Sequence, residues 1–210
     1  TALAELMAQY KDQSPVLMGQ MMGCSVAVNF ALAHPRMVSH LLLVSPFFGR
    51  PREGQAVYLS RIMKVVARFR ADGFLYRLVA AQFAKTYAKP QNVRTALDRV
   101  FGSSKRDAAV LVGEEAGIPP VDTWFGQTFQ DSVTGLAEDF KRASDFESED
   151  MKKIAVPCTV LSGEEDPLIE HAALKAALGD ATTFKSIPGA GHFAAVTDLP
   201  AILDALAERG

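Results

Sequence analysis

The stretch that decides the fold is Val16-Leu-Met-Gly-Gln-Met-Met-Gly-Cys-Ser25, in which an apolar run passes through two glycines into a segment of small and apolar residues. The run from Pro15 to Gly19 predicts a short buried strand. The segment from Met22 to Ala33 predicts a helix that ends at His34-Pro35, because proline cannot continue a helix. The sequence therefore predicts a strand that turns sharply into a helix.

The same alternation of strand and helix continues along the chain. Buried-type strands are predicted at Ser39–Ser45, Val156–Ser162 and, more weakly, Thr182–Ile187. Helices are predicted at Ala2–Tyr10, Ile169–Leu178 and Pro200–Glu208. Strands that alternate with helices pair in parallel, so the pattern indicates an α/β architecture.

The interval from Phe48 to Asp150 differs, because its apolar residues recur at helical spacing and it carries little strand signal. Val57–Phe69, Gly73–Tyr87 and Asp131–Arg142 are its predicted helices. We expect a core formed by 1–47 and 151–210, with a helical lid at 48–150 inserted between the second and third strands. Such an insertion commonly covers the active-site edge of an α/β sheet.

Composition excludes several classes of protein. Hydrophobic residues make up 49% of the 210 residues and charged residues 22%, which are globular values. The net charge of −2 lacks the basic excess of a nucleic-acid binder. No apolar run approaches the roughly 20 residues that span a bilayer, and the first residues do not resemble a signal peptide. Cys24 and Cys158 lie in apolar surroundings, which predicts reduced core thiols and a cytoplasmic protein. The sequence has no CxxC motif and no cluster of His and Cys at zinc spacing, so we expect no structural zinc site.

Three motifs of this sequence resemble motifs of one known family. The turn Gly19-Gln20-Met21-Met22-Gly23 resembles the Gly-x-Ser-x-Gly nucleophile elbow of the lidded α/β-hydrolases, whose glycines allow strand and helix to approach closely. The loop Leu161-Ser-Gly-Glu-Glu-Asp-Pro-Leu resembles the acid loop, which implies that Asp166 orients the histidine. The loop Ile187-Pro-Gly-Ala-Gly-His-Phe resembles the histidine loop, which implies that His192 is the base. The order of elbow, acid and histidine is the family's order.

This resemblance covers 1–46 and 151–210 and implies the C-terminal half of the α/β-hydrolase sheet, namely its parallel strands five to eight. It implies hydrolysis of an ester, lactone or C–C bond in a small apolar substrate, without a cofactor or metal. A neutral imidazole at His192 is a usable base near pH 7, and Asp166 would hold its far nitrogen. The alternative for His192 is an exposed loop histidine without a catalytic role. The alternative for Asp166 is a turn residue, since Asp-Pro favours turns.

The first departure from the family pattern is Met21. A thioether has no proton to give a histidine and cannot form the usual acyl-enzyme. We expect the nearby Cys24 and Ser25 to pack inside the helix rather than replace it. Three explanations stay open: a protein that has become a non-catalytic binder, an enzyme that uses His192 and Asp166 as a base without a covalent step (a lyase or a cofactor-free oxygenase), or an engineered replacement of serine.

The second departure is that the family's strands one to four have no counterpart, and neither does the early loop that supplies one oxyanion donor. The backbone N–H of Met22 would supply the other donor. Gln20 in the elbow is a further candidate for substrate binding. The edge of the strand at 15–19 would then be exposed, so we expect a second chain, a homodimer partner or an N-terminal segment to cover it. Trp124 and Phe125 are candidates for the lid side of a substrate pocket, although aromatic residues at helical spacing also form cores.

Overall fold

The computed structural model describes residues 2–10, 15–47, 85, 89–113 and 149–208. Four strands form one parallel sheet in the order β1-β2-β3-β4, namely β1 Val16–Gln20, β2 His40–Val44, β3 Cys158–Gly163 and β4 Thr182–Ile187. The parallel α/β architecture predicted from the sequence is therefore confirmed. Each strand lies within, or one residue from, its predicted range.

Helices connect and cover these strands in the described ranges. They are α1 Ala2–Ala8, α2 Gly23–Ala33, α3 Pro90–Phe101, α4 Lys105–Val112, α5 Glu149–Lys152, α6 His171–Ala177, α7 Ala194–Thr197 and α8 Leu199–Ala207, with a 3-10 turn at Pro35–Met37. The predicted helix at 169–178 begins two residues late, because the Glu170 carboxylate caps it by accepting the N–H groups of Ala172 and Ala173.

Both faces of the sheet are covered at β2, which explains why this strand is a nearly continuous apolar run. Leu41 and Leu43 pack on one face with residues of α1, α2 and α6. Leu42 and Val44 pack on the other face against α7 and α8. Side chains alternate between the faces of a strand, so a central strand buried on both sides needs apolar residues at every position.

The register brings the carboxyl ends of the strands together at one edge. Gln20 lies beside Val44, and Val44 lies beside Leu161. Gly163, the last residue of β3, lies beside Ile187 at the end of β4. The loops that follow all four strands, including those that carry Met21, Asp166 and His192, therefore leave the sheet at the same edge, where α/β proteins bind ligands.

The interval predicted to be a lid contains α3 and α4, which were not singled out from the sequence. Pro90 at the start of α3, Ser104 before α4 and Gly113 after α4 are ordinary helix boundary signals. The predicted helices at 57–69 and 131–142, and all of 73–87 except Lys85, lie outside the described residues. The division into core and lid stays a prediction.

Both cysteines are free and buried, as expected. Burial raises the pKa of the Cys158 thiol to about 12 and that of Cys24 further still. We predict that Ellman's reagent at pH 8 reacts with the native thiols at least about 10³-fold more slowly than with the urea-unfolded chain, because so little thiolate is present. Fast reaction of one thiol in the folded protein would contradict the buried placement.

In the part of the chain that the structure describes, no helix combines the length and the apolar character that crossing a membrane requires.

Candidate active site

The turn between β1 and α2 holds Met21 in the left-handed region of backbone space, with φ of 50°. This conformation costs a residue with a side chain about 1–2 kcal/mol. The main chain stabilises it, because the Met21 N–H donates to the Val44 carbonyl at 3.0 Å and the Met21 carbonyl accepts the Phe47 N–H at 3.2 Å. The elbow is thus fastened to the end of β2 on both sides of its central residue.

The two elbow glycines differ in their steric role. A Cβ at Gly19 would lie 2.8 Å from the Cα of Cys24, so β1 and α2 can approach this closely only with glycine there. A Cβ at Gly23 would meet no described atom within 4 Å. The expectation that both glycines permit close approach is therefore correct for Gly19 and wrong for Gly23 in this part of the structure.

The residues that follow the elbow are engaged in packing. The Cys24 thiol donates to the Val44 carbonyl, and the Ser25 hydroxyl donates to the Met22 carbonyl at 2.8 Å. Both side chains are buried in α2. Neither side chain is presented as a substitute nucleophile, which agrees with the expectation that both pack inside the helix. The N–H of Met22 lies directly before the first turn of α2. The N–H groups at this end of a helix have no acceptor within the helix.

The structure brings together the predicted acid and base. His192 Nδ1 lies 2.8 Å from Asp166 Oδ2, and both side chains are buried. The other oxygen of Asp166 accepts the Leu168 N–H at 2.9 Å, which fixes the plane of the carboxylate. A carboxylate accepts hydrogen bonds, so it selects the tautomer with the proton on Nδ1 and leaves Nε2 as the basic nitrogen.

A glycine allows the acid loop and the histidine loop to meet. A Cβ at Gly163 would lie 2.3 Å from the carbonyl oxygen of Ala190 and 2.4 Å from that of Gly191. The loops are also joined through the backbone, since the Glu165 N–H donates to the Ala190 carbonyl at 2.9 Å. The glycine in the acid loop is therefore required by contact with the histidine loop.

Sequence reasoning missed Asp107, a buried carboxylate on α4. Its Oδ2 accepts the N–H of His192 at 2.7 Å, and its Oδ1 accepts the N–H of Phe193 at 3.0 Å. A Cβ at Gly191 would lie 2.2 Å from Oδ2, so the loop leaves room only for glycine. The run Ser104-Lys-Arg-Asp107 is a signal for the start of a helix, and the Ser104 hydroxyl does accept the Asp107 N–H. That signal does not indicate what the carboxylate contacts.

Apolar side chains surround the histidine and connect it with the elbow. The Phe101 ring stacks on the His192 ring with 5.2 Å between centroids and 16° between planes. Phe101 belongs to a buried cluster with Phe47, Val100, Val110, Leu111, Leu168 and Phe193, against which Met21, Met22 and Leu97 pack. Apolar surroundings exclude water and strengthen polar interactions inside the site.

A second residue at this edge has a left-handed backbone. Ser45, directly after β2, has φ of 47° and is fully buried. Its N–H donates to the Leu161 carbonyl at 2.8 Å, whereas its hydroxyl has no hydrogen-bond partner among the described residues. The neighbour of the elbow is therefore also held in a sparsely populated conformation, with a polar group at the same edge of the sheet.

Of the other predicted site residues, Gln20 is half-buried at the end of β1. Trp124 and Phe125 lie outside the described residues. Within the described ranges, no three His, Cys, Asp or Glu residues are grouped as metal ligands.

The stability of the protein should depend on pH through Asp107. Burial raises the pKa of Asp107 from 3.8 to about 6, although its hydrogen bonds from Phe193 and His192 oppose the rise. The native state then holds this proton more tightly than the unfolded chain, so the contribution is full below about pH 4 and is lost as pH rises through about 6. We predict that the free energy of unfolding, measured in urea relative to Asp107→Asn, falls by about 2–3 kcal/mol between pH 4 and pH 7. A difference that does not change with pH would contradict the buried carboxylate.

Comparison with known proteins identifies the family to which the chain belongs. The model of the alpha/beta hydrolase family matches residues 1–205, and the chain belongs to that family. A search of curated proteins finds no match.

Three similar solved structures illustrate the fold. The first is the 2-hydroxy-6-oxo-6-phenylhexa-2,4-dienoate hydrolase of Rhodococcus sp. strain RHA1, with 13% identity, a TM-score of 0.59 and coverage of 97% of this chain and 66% of that one. The second is a meta-cleavage product hydrolase of Pseudomonas fluorescens IP01, with 17% identity, a TM-score of 0.56 and coverage of 99% and 68%. The third is a thermophilic esterase of Thermogutta terrifontis, with 19% identity, a TM-score of 0.62 and coverage of 98% and 68%. At these identities the likeness shows the fold, and the chain spans about two thirds of the length of each structure.

Proposed function

We propose that this protein is a cofactor-independent hydrolase of a small apolar ester, lactone or C–C bonded substrate, in which Asp166 orients His192 and residue 21 occupies the nucleophile position. The observation that carries the proposal is the buried hydrogen bond from His192 to Asp166. The Phe101 ring that stacks on His192 belongs to the apolar cluster against which the left-handed Met21 packs. Two of the similar structures are named as hydrolases of dienoate or meta-cleavage products and one as an esterase, which agrees with this substrate class.

The chemistry at residue 21 depends on its side chain. With serine there, the hydroxyl would pass its proton to His192 Nε2 while its oxygen attacks the substrate carbonyl, and the Met22 N–H would stabilise the oxyanion. The thioether of Met21 cannot take part in this step. We therefore expect the chain to bind the substrate without forming an acyl-enzyme, and to hydrolyse only when residue 21 is a nucleophile.

Met21 itself favours a second candidate function. A retained base pair beside a side chain that cannot react suits proton abstraction without a covalent step, as in a lyase or a cofactor-free oxygenase. A pure binding protein has no need of an oriented base, so the retained pair weighs against that alternative.

Covalent labelling tests the proposal. A fluorophosphonate should add to Met21→Ser with loss of fluoride, giving one mass increment, and should leave the Met21 chain unmodified. Met22→Ser is the matched control, because its serine stands one residue away in ordinary helical conformation. Absence of labelling in Met21→Ser would show that residue 21 does not occupy the nucleophile position. Ester turnover by the Met21 chain that is lost when His192 is replaced would favour the second candidate function, which has no covalent step.

We also propose that a further strand covers the free edge of β1, supplied by a second chain, a homodimer partner or an N-terminal segment. Within the described residues β1 pairs only with β2. Met18 on β1 is 42% exposed, and Leu199 and Leu203 on α8 are 55% and 54% exposed. Val16 packs on the α8 side, and Met18 lies two residues on, so the exposed Met18 side chain is on the same side of the sheet as α8. Native mass spectrometry of the purified protein would show whether another polypeptide accompanies it.

The remaining expectations complete the proposal. The partner in solution is a small-molecule substrate rather than a nucleic acid or a membrane. The compartment is the cytoplasm, since both thiols are buried and unpaired.

A further inference from the structure

We propose that Asp107 is a positioning residue that couples the α3–α4 pair to the base, because its carboxylate holds the backbone from which the His192 side chain projects. The inference rests on the proposed function only in treating His192 as the base. Asp107 does not contact the imidazole through any hydrogen bond that the structure shows, so it would act through the loop and not on the substrate.

The contact between the Asp107 carboxylate and the histidine loop holds the backbone of that loop through hydrogen bonds. The two oxygens of Asp107 receive the N–H groups of two consecutive residues, at 2.7 Å from His192 and 3.0 Å from Phe193. The side chain is fully buried, and the carboxylate fills the space where a Cβ of Gly191 would lie. Hydrogen bonds to an ionised acceptor are stronger than those between neutral groups, so above about pH 6 the ionised carboxylate makes this a charge-assisted link between α4 and the histidine loop.

The Asp166 bond alone cannot define the position of the imidazole. It fixes one ring nitrogen, whereas the tilt of the ring depends on where the backbone carries it. Asp107 fixes that backbone from α4, and Phe101 covers the ring face from α3. The two helices are joined by the three residues 102–104, and the Ser104 hydroxyl accepts the Asp107 N–H. A displacement of the helix pair would therefore move the base or break these contacts.

The charges around Asp107 agree with this role. Burial opposes the negative charge of Asp107 most, and the backbone N–H groups of Phe193 and His192 offset only part of that cost. Among the described ionisable groups, His192 stabilises this charge and Asp166 opposes it. Asparagine would keep one acceptor but would direct an NH₂ donor at the other backbone N–H.

Proton NMR of the histidine side chains in the Met21 chain tests the proposal without requiring activity. The signal of the His192 Nδ1 proton, which is bonded to Asp166, should exchange with water at least about tenfold faster in Asp107→Asn. The side chains of His40 and His171 also form hydrogen bonds, to Thr159 and Ser162, and should not change. Asp98→Asn, an exposed substitution on α3, is the matched control and should leave all three signals unchanged.

The kinetic arm uses Met21→Ser as the background. Asp107→Asn should lower kcat at least about tenfold while KM changes less than about twofold, because the base is displaced and the binding surface is retained. If Met21→Ser proves inactive, the proposed function fails, and the NMR result still decides the role of Asp107.

A folded Asp107→Asn variant with unchanged exchange at His192 would overturn the proposal and leave Asp107 as a structural residue. If Asp107→Asn does not fold, Ser104→Ala replaces it, because that change loosens the start of α4 without altering charge. Faster exchange confined to His192 in Ser104→Ala supports the coupling, and unchanged exchange rejects it.

Discussion

The double variant Met21→Ser, His192→Ala is expected to hydrolyse p-nitrophenyl acetate at least about 10³-fold more slowly than Met21→Ser alone. The reason lies in the geometry of the pair, since His192 Nδ1 is fixed by Asp166 at 2.8 Å and only Nε2 remains to take a proton. A serine without that base stays a neutral hydroxyl and is a poor nucleophile. Release of p-nitrophenolate at pH 8 gives kcat/KM for both variants.

The control is Met21→Ser, His34→Ala. His34 follows α2 at the end opposite the elbow, so its loss should change the rate less than about twofold. Equal rates for Met21→Ser with and without His192 would show that the histidine is not the base. The family membership would survive that result, because it depends on the match over 1–205 and not on the reaction.

Replacing Gly163 by alanine is expected to lower the free energy of unfolding by at least about 3 kcal/mol. The new Cβ would lie 2.3 Å and 2.4 Å from two carbonyl oxygens of the histidine loop, and backbone atoms cannot rotate away as a side chain can. Either β3 or the loop must shift, and the shift would also separate His192 from Asp166. Urea unfolding followed by circular dichroism measures the loss.

Gly23→Ala is the matched glycine control for that experiment. It adds the same methyl group at the start of α2, where no described atom lies within 4 Å. Alanine in a helix is favoured over glycine by up to about 1 kcal/mol, so this variant should be as stable as the natural chain or more so. If Gly163→Ala unfolds at the same urea concentration as Gly23→Ala, the close approach of the two loops is wrong.

Much of the core could be predicted from the sequence because its signals are local. The strands of a buried parallel sheet are short apolar runs, and Leu41 to Val44 face apolar layers on both sides. Asp166 and His192 were predicted from the resemblance of their loops to the acid and histidine loops of the α/β-hydrolases, and the strands that precede these loops are adjacent in the sheet. The strands needed only the pattern of each segment, whereas the two site residues also needed the family resemblance.

The supporting contacts of the site could not be predicted in that way. Asp107 lies 85 residues from His192 in the sequence, and the stacking of Phe101 on the histidine is equally remote. These contacts arise from how α3 and α4 pack, and nothing in the spacing of those residues specifies the packing. The left-handed backbone of Ser45 was missed for a related reason, because a serine after a strand gives no sign of a positive φ.

Because hydrogen bonds join residue 21 to the end of β2, the conformation of this turn does not depend on the reactivity of the side chain at residue 21. Both hydrogen bonds use main-chain atoms of residue 21, so they remain whatever side chain that residue carries. Different reactive side chains can therefore be placed at residue 21 without changing the backbone of the turn. A thiol, a carboxylate or a hydroxyl placed there would be held by the same backbone conformation, and one scaffold could be used to compare their chemistry directly.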